Sequence, residues 1–215
     1  MIKGVIFDLD GVLVTTDEFH YQAWNKLAED EGIPFTREDN HRQRGISRAA
    51  SLDVLLEKSP RAYSQAEKDE MMERKNNTYR KLLDTLTPDD LLPNALEMVR
   101  ALRKRGIKVA VGSASRNTPA IMKQVGLDTE VDAVADGNDA KNSKPDPEVF
   151  LLAAERLGLE PSECLVVEDA PAGVEAGRRG GMAVFAIGPK ERHPDVPNRA
   201  ETLADVTPDE LLAAG

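Results

Sequence analysis

The chain has 215 residues and a formal net charge of −10 at pH 7, and 40% of its residues are hydrophobic and 31% charged. This is an ordinary globular composition, long enough for one α/β domain with a smaller inserted domain. The acidic balance argues against a nucleic-acid or membrane-binding surface, and no apolar run approaches the length of a membrane span. The single cysteine, Cys164, excludes a disulfide within the chain, and no signal segment precedes the first strand, so we expect a cytoplasmic protein.

The first predicted strand is the apolar run Val5–Phe7, which is short, rich in β-branched residues and without clean alternation. Such a run is typical of a strand buried on both faces at the centre of a parallel sheet. Asp8 and Asp10 follow it, and Gly11 allows the chain to turn away. Residues two apart in an extended chain point to the same side, so both carboxylates can face one small volume. Two close carboxylates need a cation, a shared proton or different roles, whereas an isolated D-x-D motif is more often a solvated strand end.

Residues 15–87 carry helical patterns and no strand signal. The predicted helices are 17–31, a helix that begins after the N-cap candidate Ser47, and 65–86, with a polar stretch at 36–44. We therefore expect an all-helical cap domain at 15–87, inserted into a catalytic core formed by 1–14 and 88–215.

The rest of the chain alternates between helical and strand patterns. The predicted helices are 94–105, Pro119–Val125, Pro147–Leu157, Ala172–Arg179 and 207–213. The predicted strands are Ile107–Val111, Val131–Ala135, Leu165–Val167 and Ala183–Ile187. This alternation is typical of βαβ units, so we predict an α/β fold: a doubly wound, Rossmann-like parallel sheet interrupted after its first strand by the helical insert.

Polar residues follow the carboxyl ends of the predicted strands, where ligands bind in open α/β sheets. The second strand leads into the hydroxyl-rich stretch Ser113–Asn117, which opens a helix and can bind an anion. Lys144 follows the third strand, and Glu168 and Asp169 end the fourth. Each feature alone is more often a helix cap, a surface lysine or an acidic turn. Together, and with the first strand's two aspartates, they indicate Mg²⁺ and phosphoryl transfer through an aspartate.

The stretches Phe7–Val12, Ser113–Ser115, Lys144-Pro145 and Glu168-Asp169 resemble the four motifs of the haloacid dehalogenase superfamily of phosphotransferases. The resemblance covers almost the whole chain. It implies that Asp8 is the nucleophile, which forms an aspartyl phosphate, and that Asp10 is the general acid/base. The implied ligands of Mg²⁺ are the Asp8 side chain, the Asp10 backbone carbonyl and Asp169, with Glu168 beside them. Ser113 and Lys144 would hold the transferring phosphate.

Within that superfamily, parts of the insert and of the core resemble the β-phosphoglucomutases. The residues that carry this resemblance are Thr16, His20, Ala23, Trp24, Arg44, Gly45, Ile46, Ser47, Arg48, Ser51, Leu52, Arg74, Lys75 and Asn76 in the insert, and Ala114, Ser115, Arg116 and Asn117 in the core. It implies that Arg48 grips the phosphate that is not being transferred, that His20 and Lys75 assist near Asp10, and that Thr16 sits at the hinge. A mutase needs such a closing lid because its aspartyl phosphate must be kept from water until a sugar arrives.

Two positions depart from the family pattern: Arg44 stands where a lysine is expected, and Thr15 stands where an acid is expected. Helix packing is an alternative role for His20, and it carries equal weight for Trp24. Three functions stay open on the sequence alone. The first is a monomeric β-phosphoglucomutase acting on sugar phosphates, the second is a capped Mg-dependent sugar-phosphate phosphatase, and the third is a non-catalytic anion-binding protein. The intact acidic and lysine set argues against the third, and the cap favours the first.

Overall fold

The computed structural model describes residues 1–215 and contains one six-stranded sheet with the strand order β3-β2-β1-β4-β5-β6. The strands are β1 Gly4–Phe7, β2 Lys108–Gly112, β3 Ala133–Ala135, β4 Cys164–Glu168, β5 Ala183–Ile187 and β6 Arg199–Ala200. Every neighbouring pair is parallel. The predicted α/β fold with a Rossmann-like parallel sheet is therefore confirmed, and β1 lies at its centre.

Helices make up the rest of the regular structure. They are α1 Asp17–Glu31, α2 Arg37–Arg42, α3 Arg48–Leu56, α4 Gln65–Leu83, α5 Ala95–Lys104, α6 Thr118–Val125, α7 Glu148–Leu157, α8 Pro171–Arg179 and α9 Pro208–Leu212. Short 3₁₀ turns lie at Pro88–Asp90, Pro161–Glu163 and Leu203–Asp205. None of these helices combines the length and the apolar character that crossing a membrane would require.

Two elements lie where the sequence predicts none. Helix α2 lies in the stretch that is predicted only to be polar. The sequence does not predict this helix, because its six residues are all polar and carry no apolar periodicity. Its start is set by a capping box, in which the Thr36 hydroxyl accepts from the Asp39 backbone N–H and the Asp39 carboxylate accepts from that of Thr36. Strand β6 has only two residues, which pair with the last two residues of β5. Two residues are too few to show the alternation that predicts a strand.

Buried apolar side chains form separate clusters on the two faces of the sheet. Val5 and Phe7 of β1 belong to one cluster, and Ile6 belongs to the other, as expected of a strand buried on both faces. A third, smaller cluster lies among α1, α3 and α4 and includes Trp24. Tyr79, near the end of α4, belongs instead to the cluster of Val5 and Phe7. The division into a core and a cap at 14/15 and 87/88 stays a prediction.

Candidate active site

The register of the sheet brings the predicted motifs to one edge. Phe7 pairs with Val111 on one side and with Val167 on the other. Asp8, the end of β2 before Ser113 and the end of β4 before Asp169 therefore emerge side by side. This placement follows from parallel pairing, because the carboxyl ends of parallel strands share an edge.

Lys144 lies beneath this edge with its side chain fully buried. Its amine donates to Asp8 Oδ1 at 2.6 Å and to Glu168 Oε1 at 3.0 Å, and it lies 4.5 Å from the centre of the Phe150 ring. Burial alone would lower the pKa of Lys144, but the two carboxylates outweigh it and raise this pKa above its ordinary value. The lysine is therefore a fixed positive charge beside the predicted nucleophile.

Three carboxylates gather at the same place. Asp8, Glu168 and Asp169 each offer an oxygen, and these oxygens all lie within 4.8 Å of one another. Burial raises the pKa of both Glu168 and Asp169, and the negative charge of Glu168 raises that of Asp169 further. Hard oxygen donors that repel one another suit a small divalent cation, so the residues present fit the implied Mg²⁺.

Gly11 keeps the backbone close to this acidic cluster. Its φ is +90°, and a Cβ at this position would lie 2.5 Å from Cγ of Asp169. Only glycine allows this approach without displacing the carboxylate.

The side chain of Asp10 points to a different partner. Its Oδ1 accepts from the Thr16 backbone N–H at 2.6 Å, and its Oδ2 accepts from the Thr16 hydroxyl at 2.8 Å. Burial raises the pKa of Asp10 to about 6, although the hydrogen bonds from Thr16 act in the opposite direction. Asp8 and Asp10 thus have different surroundings: one faces a lysine and the other faces a hydroxyl and an amide.

The sequence model of the haloacid dehalogenase-like hydrolase family matches residues 2–181 of this chain. The chain belongs to the haloacid dehalogenase-like hydrolases.

Similar proteins include mutases and a phosphatase of sugar phosphates. A β-phosphoglucomutase of Bacillus subtilis is 42% identical over 195 residues, which are 90% of this chain and 85% of that protein. A crystal structure of a β-phosphoglucomutase from Clostridium difficile has a TM-score of 0.94 and 35% identity, and the match covers 100% of this chain and 97% of that one. A phosphorylated carbohydrates phosphatase of Thermotoga maritima is 29% identical over 215 residues, covering 98% of this chain and 97% of that protein.

In this haloacid dehalogenase-like hydrolase, a cavity of about 770 Å³ lies between the sheet edge and the helices of residues 15–87. The predicted site residues that line it are Asp8, Asp10, His20, Trp24, Arg44, Gly45, Ile46, Ser47, Arg48, Ser51, Lys75, Ser113, Ala114, Ser115, Arg116, Asn117, Lys144 and Asp169. Thr16 and Glu168 lie outside the lining: the first is buried behind Asp10, and the second is buried under Lys144. The structure therefore brings the core and insert motifs to one cavity.

Lys75, which is buried, and His20, which is half-buried, lie close together near Asp10. The Lys75 amine lies 2.9 Å from His20 Nδ1, and it also faces the rings of Trp24 and Tyr79, whose centres are 4.9 and 4.4 Å away. His20 Nε2 is 3.8 Å from Asp10 Oδ2. Burial lowers the pKa of both His20 and Lys75, and the cation of Arg48 lowers each further. Trp24 lines the cavity and also packs in the third cluster, so its position fits either of the two roles expected for it.

Two guanidinium groups, those of Arg48 and Arg116, also line the cavity. Arg48 begins α3, where the Ser47 hydroxyl caps the helix by accepting from the Ala50 N–H at 3.2 Å. Burial lowers the pKa of Arg48, and the like charge of Arg116 adds to this. Two like charges, one half-buried at the start of α3 and one exposed, favour the binding of an anion between them.

Two contacts join the insert to the core around the cavity. The Asn117 amide donates to Asn76 Oδ1 at 3.1 Å. Gly45 has a φ of +72°, and a Cβ there would lie 2.7 Å from Cβ of Ala170. A side chain at residue 45 would therefore push the insert away from the acidic cluster.

The structure adds residues that the sequence did not single out. Arg192 Nη1 donates to Asp169 Oδ2 at 3.2 Å, and His193 Nε2 lies 2.8 Å from the Asp169 carbonyl oxygen. Both follow β5 in a segment without a motif, and the only available signal was their place after a strand end. Tyr79 has the spacing of an apolar position in α4, and its hydroxyl lies 2.8 Å from that of Thr16. Asp17, in the first turn of α1, binds Arg44.

Proposed function

We propose that the chain interconverts β-glucose 1-phosphate and glucose 6-phosphate through an aspartyl phosphate at Asp8 and β-glucose 1,6-bisphosphate. One observation supports this proposal: Asp8 and Lys144, which pair at 2.6 Å, and the two arginines Arg48 and Arg116 line one and the same cavity. A sugar with phosphate at both ends needs both sites. The 42% identity to a β-phosphoglucomutase over 90% of the chain supports the same function.

In the first step, a phosphoryl group moves from the bisphosphate to the enzyme. An oxygen of Asp8 bonds to phosphorus while the bond from phosphorus to the sugar oxygen breaks, and that sugar oxygen takes a proton from Asp10. The Lys144 amine, held 2.6 Å from Asp8, offsets the charge on the transferring group.

Once the 1-phosphate has been transferred, glucose 6-phosphate leaves, and in the second step β-glucose 1-phosphate binds with its 6-hydroxyl toward Asp8. Its free hydroxyl attacks the phosphorus on Asp8, the bond from Asp8 to phosphorus breaks, and Asp10 accepts the hydroxyl proton. The protons balance, because Asp10 gains the proton that it gave in the first step. The phosphate that stays on the sugar binds Arg48 and Arg116, and the hydroxyl-rich stretch around Ser115 lies beside them.

Mg²⁺ fits the site, and Asp8, the Asp10 carbonyl and Asp169 would hold it, with Glu168 beside them. When bound, the ion supplies positive charge to the phosphate oxygens. The chain's own contribution is to hold these oxygens in place: Glu168 is fixed by Lys144 at 3.0 Å and by the Ala170 N–H at 2.9 Å.

The second candidate is a sugar-phosphate phosphatase, in which water takes the phosphoryl group from Asp8. The observation in its favour is the 29% identity to a phosphorylated carbohydrates phosphatase over 98% of the chain. The first step would be the same, so only the acceptor separates the two functions. The monomeric state and the cytoplasmic location stay predictions.

One assay separates these functions. The protein is incubated with β-glucose 1-phosphate, Mg²⁺ and a trace of the bisphosphate, and glucose 6-phosphate and free phosphate are measured together. We expect glucose 6-phosphate to exceed free phosphate throughout. Release of free phosphate with little glucose 6-phosphate would instead assign the phosphatase activity.

A further inference from the structure

We propose that the Tyr79 hydroxyl, acting through Thr16, positions the carboxylate of Asp10 for proton transfer. This inference rests on the proposed role of Asp10 as the acid/base. Tyr79 lines no part of the cavity, so it is a positioning residue that does not touch the sugar.

The direction of the hydrogen bonds follows from counting protons. When Asp10 is ionised, as it is when it accepts the sugar's hydroxyl proton, it can only accept, so the Thr16 hydroxyl donates its single proton to Asp10 Oδ2 at 2.8 Å. The Tyr79 hydroxyl, 2.8 Å from the Thr16 oxygen, must therefore donate to it. The resulting chain runs from Tyr79 through Thr16 to Asp10 and fixes the rotation of the Thr16 hydroxyl.

Burial makes this chain hard to replace by water. Tyr79 and Thr16 are each 1% exposed, so the Thr16 oxygen has no access to solvent if the phenol is lost. Burial also raises the pKa of Tyr79 above its ordinary value, so the phenol keeps the proton that it donates.

The ring of Tyr79 contacts two more predicted catalytic residues. The His20 ring lies 4.2 Å from it, centre to centre, at an angle of 39°, and the Lys75 amine lies 4.4 Å from its centre. The hydroxyl and the ring thus have separable functions: the hydroxyl acts on Thr16, and the ring supports His20 and Lys75.

The test is Tyr79→Phe, which removes the hydroxyl and keeps the ring. We expect kcat for sugar isomerisation to fall by about 2- to 10-fold, the loss expected for one buried hydrogen bond, with KM unchanged. The loading of Asp8 from acetyl phosphate should be unchanged, because acetate is a good leaving group and needs no proton from Asp10. The control is Tyr63→Phe, which removes a phenol that donates to Glu31 at 3.3 Å, away from Asp10, and should leave kcat unchanged.

A double-mutant cycle with Thr16→Val separates positioning from a general structural effect. In the Thr16→Val background, Tyr79→Phe should cause no further loss of kcat, because the chain is already broken. The same fold loss in both backgrounds, or an unchanged kcat in Tyr79→Phe alone, would overturn this inference while leaving the mutase function intact. If the wild-type protein releases phosphate instead of isomerising the sugar, the proposed function fails. The double-mutant cycle is then measured with kcat for phosphate release, and the same outcomes decide the role of Tyr79. Absence of both activities in wild type would overturn both proposals.

Discussion

The guanidinium of Arg44 is held by the carboxylate of Asp17. Arg44 Nε donates to Oδ1 at 3.2 Å and Nη2 donates to Oδ2 at 2.8 Å, while the remaining Nη1 lies 3.8 Å from Asp169 Oδ2 across the cavity. Arg44 is one of the two positions that depart from the expected family pattern, and its charge is paired with Asp17. The arginine is thereby oriented toward the acidic cluster of the core.

Replacing Asp17 by Asn should loosen this orientation. The pair is partly exposed, so we expect a modest fall in kcat/KM for isomerisation, on the order of 2- to 5-fold. Glu18 lies in the same turn of α1 as Asp17 and forms an exposed ion pair with Arg37. Glu18→Gln breaks that pair and is the matched control, which should leave kcat/KM unchanged. Equal kcat/KM values for the two variants would show that the Asp17 contact has no functional role.

Lys144→Met should destabilise the fold strongly when no Mg²⁺ is present. It would leave Asp8 and Glu168 buried without their cation, and breaking such a buried pair costs about 3–5 kcal/mol. The measurement is the free energy of unfolding in urea with a chelator. Arg105→Met, which breaks an exposed pair with Asp209, should cost no more than about 1 kcal/mol. Similar losses in the two variants would contradict the role assigned to Lys144.

Arg48→Ala should separate isomerisation from the chemistry at Asp8. A charge-assisted contact to phosphate contributes roughly 1.5–3 kcal/mol, so sugar isomerisation should fall by about one to two powers of ten. Hydrolysis of acetyl phosphate should stay near the wild-type rate, because this donor has no second phosphate.

The readout is the ratio of isomerised sugar to free phosphate. Arg42→Ala is the control, since Arg42 pairs with Glu57 at the cap surface and lies outside the cavity. If Arg48→Ala lowered both activities in proportion, or neither, Arg48 would not be the second phosphate site, and the phosphatase function would be preferred.

Cys164 should resist thiol reagents in the native protein. It is fully buried, and burial raises the pKa of its thiol to about 11, so almost no thiolate exists at pH 8. We expect no labelling by a thiol-specific reagent at pH 8 until urea unfolds the chain, and wild-type activity in Cys164→Ala. Rapid labelling of the folded protein would contradict the buried, structural place given to this residue.

The fold and the grouping of the core motifs could be predicted because their signals are local. A β-branched run followed by Asp8, and hydroxyl or acidic residues after later strands, place polar groups at one edge once the sheet is parallel. The roles assigned to these residues stay predictions that the variants above address.

The remaining features depend on tertiary contacts that no local pattern encodes. Tyr79 has the helical spacing of a packing residue, and only the approach of Thr16 gives its hydroxyl a partner. Arg192 follows the last long strand in a segment without a motif, and its contact with Asp169 is set by the path of the chain after β5. Helix α2 forms through its cap and not through apolar periodicity.

The fate of a phosphoryl group on Asp8 tests the central claim most directly. The enzyme is incubated with β-glucose 1,6-bisphosphate that carries a label in its phosphates, and unbound sugar is then removed. The labelled enzyme is mixed with β-glucose 1-phosphate. Asp8→Asn is the control, which should take up no label. The account predicts that the label lies on Asp8 and passes to the sugar, so that it is recovered in the bisphosphate and in glucose 6-phosphate. Label on another residue, or label recovered only as inorganic phosphate, would contradict it.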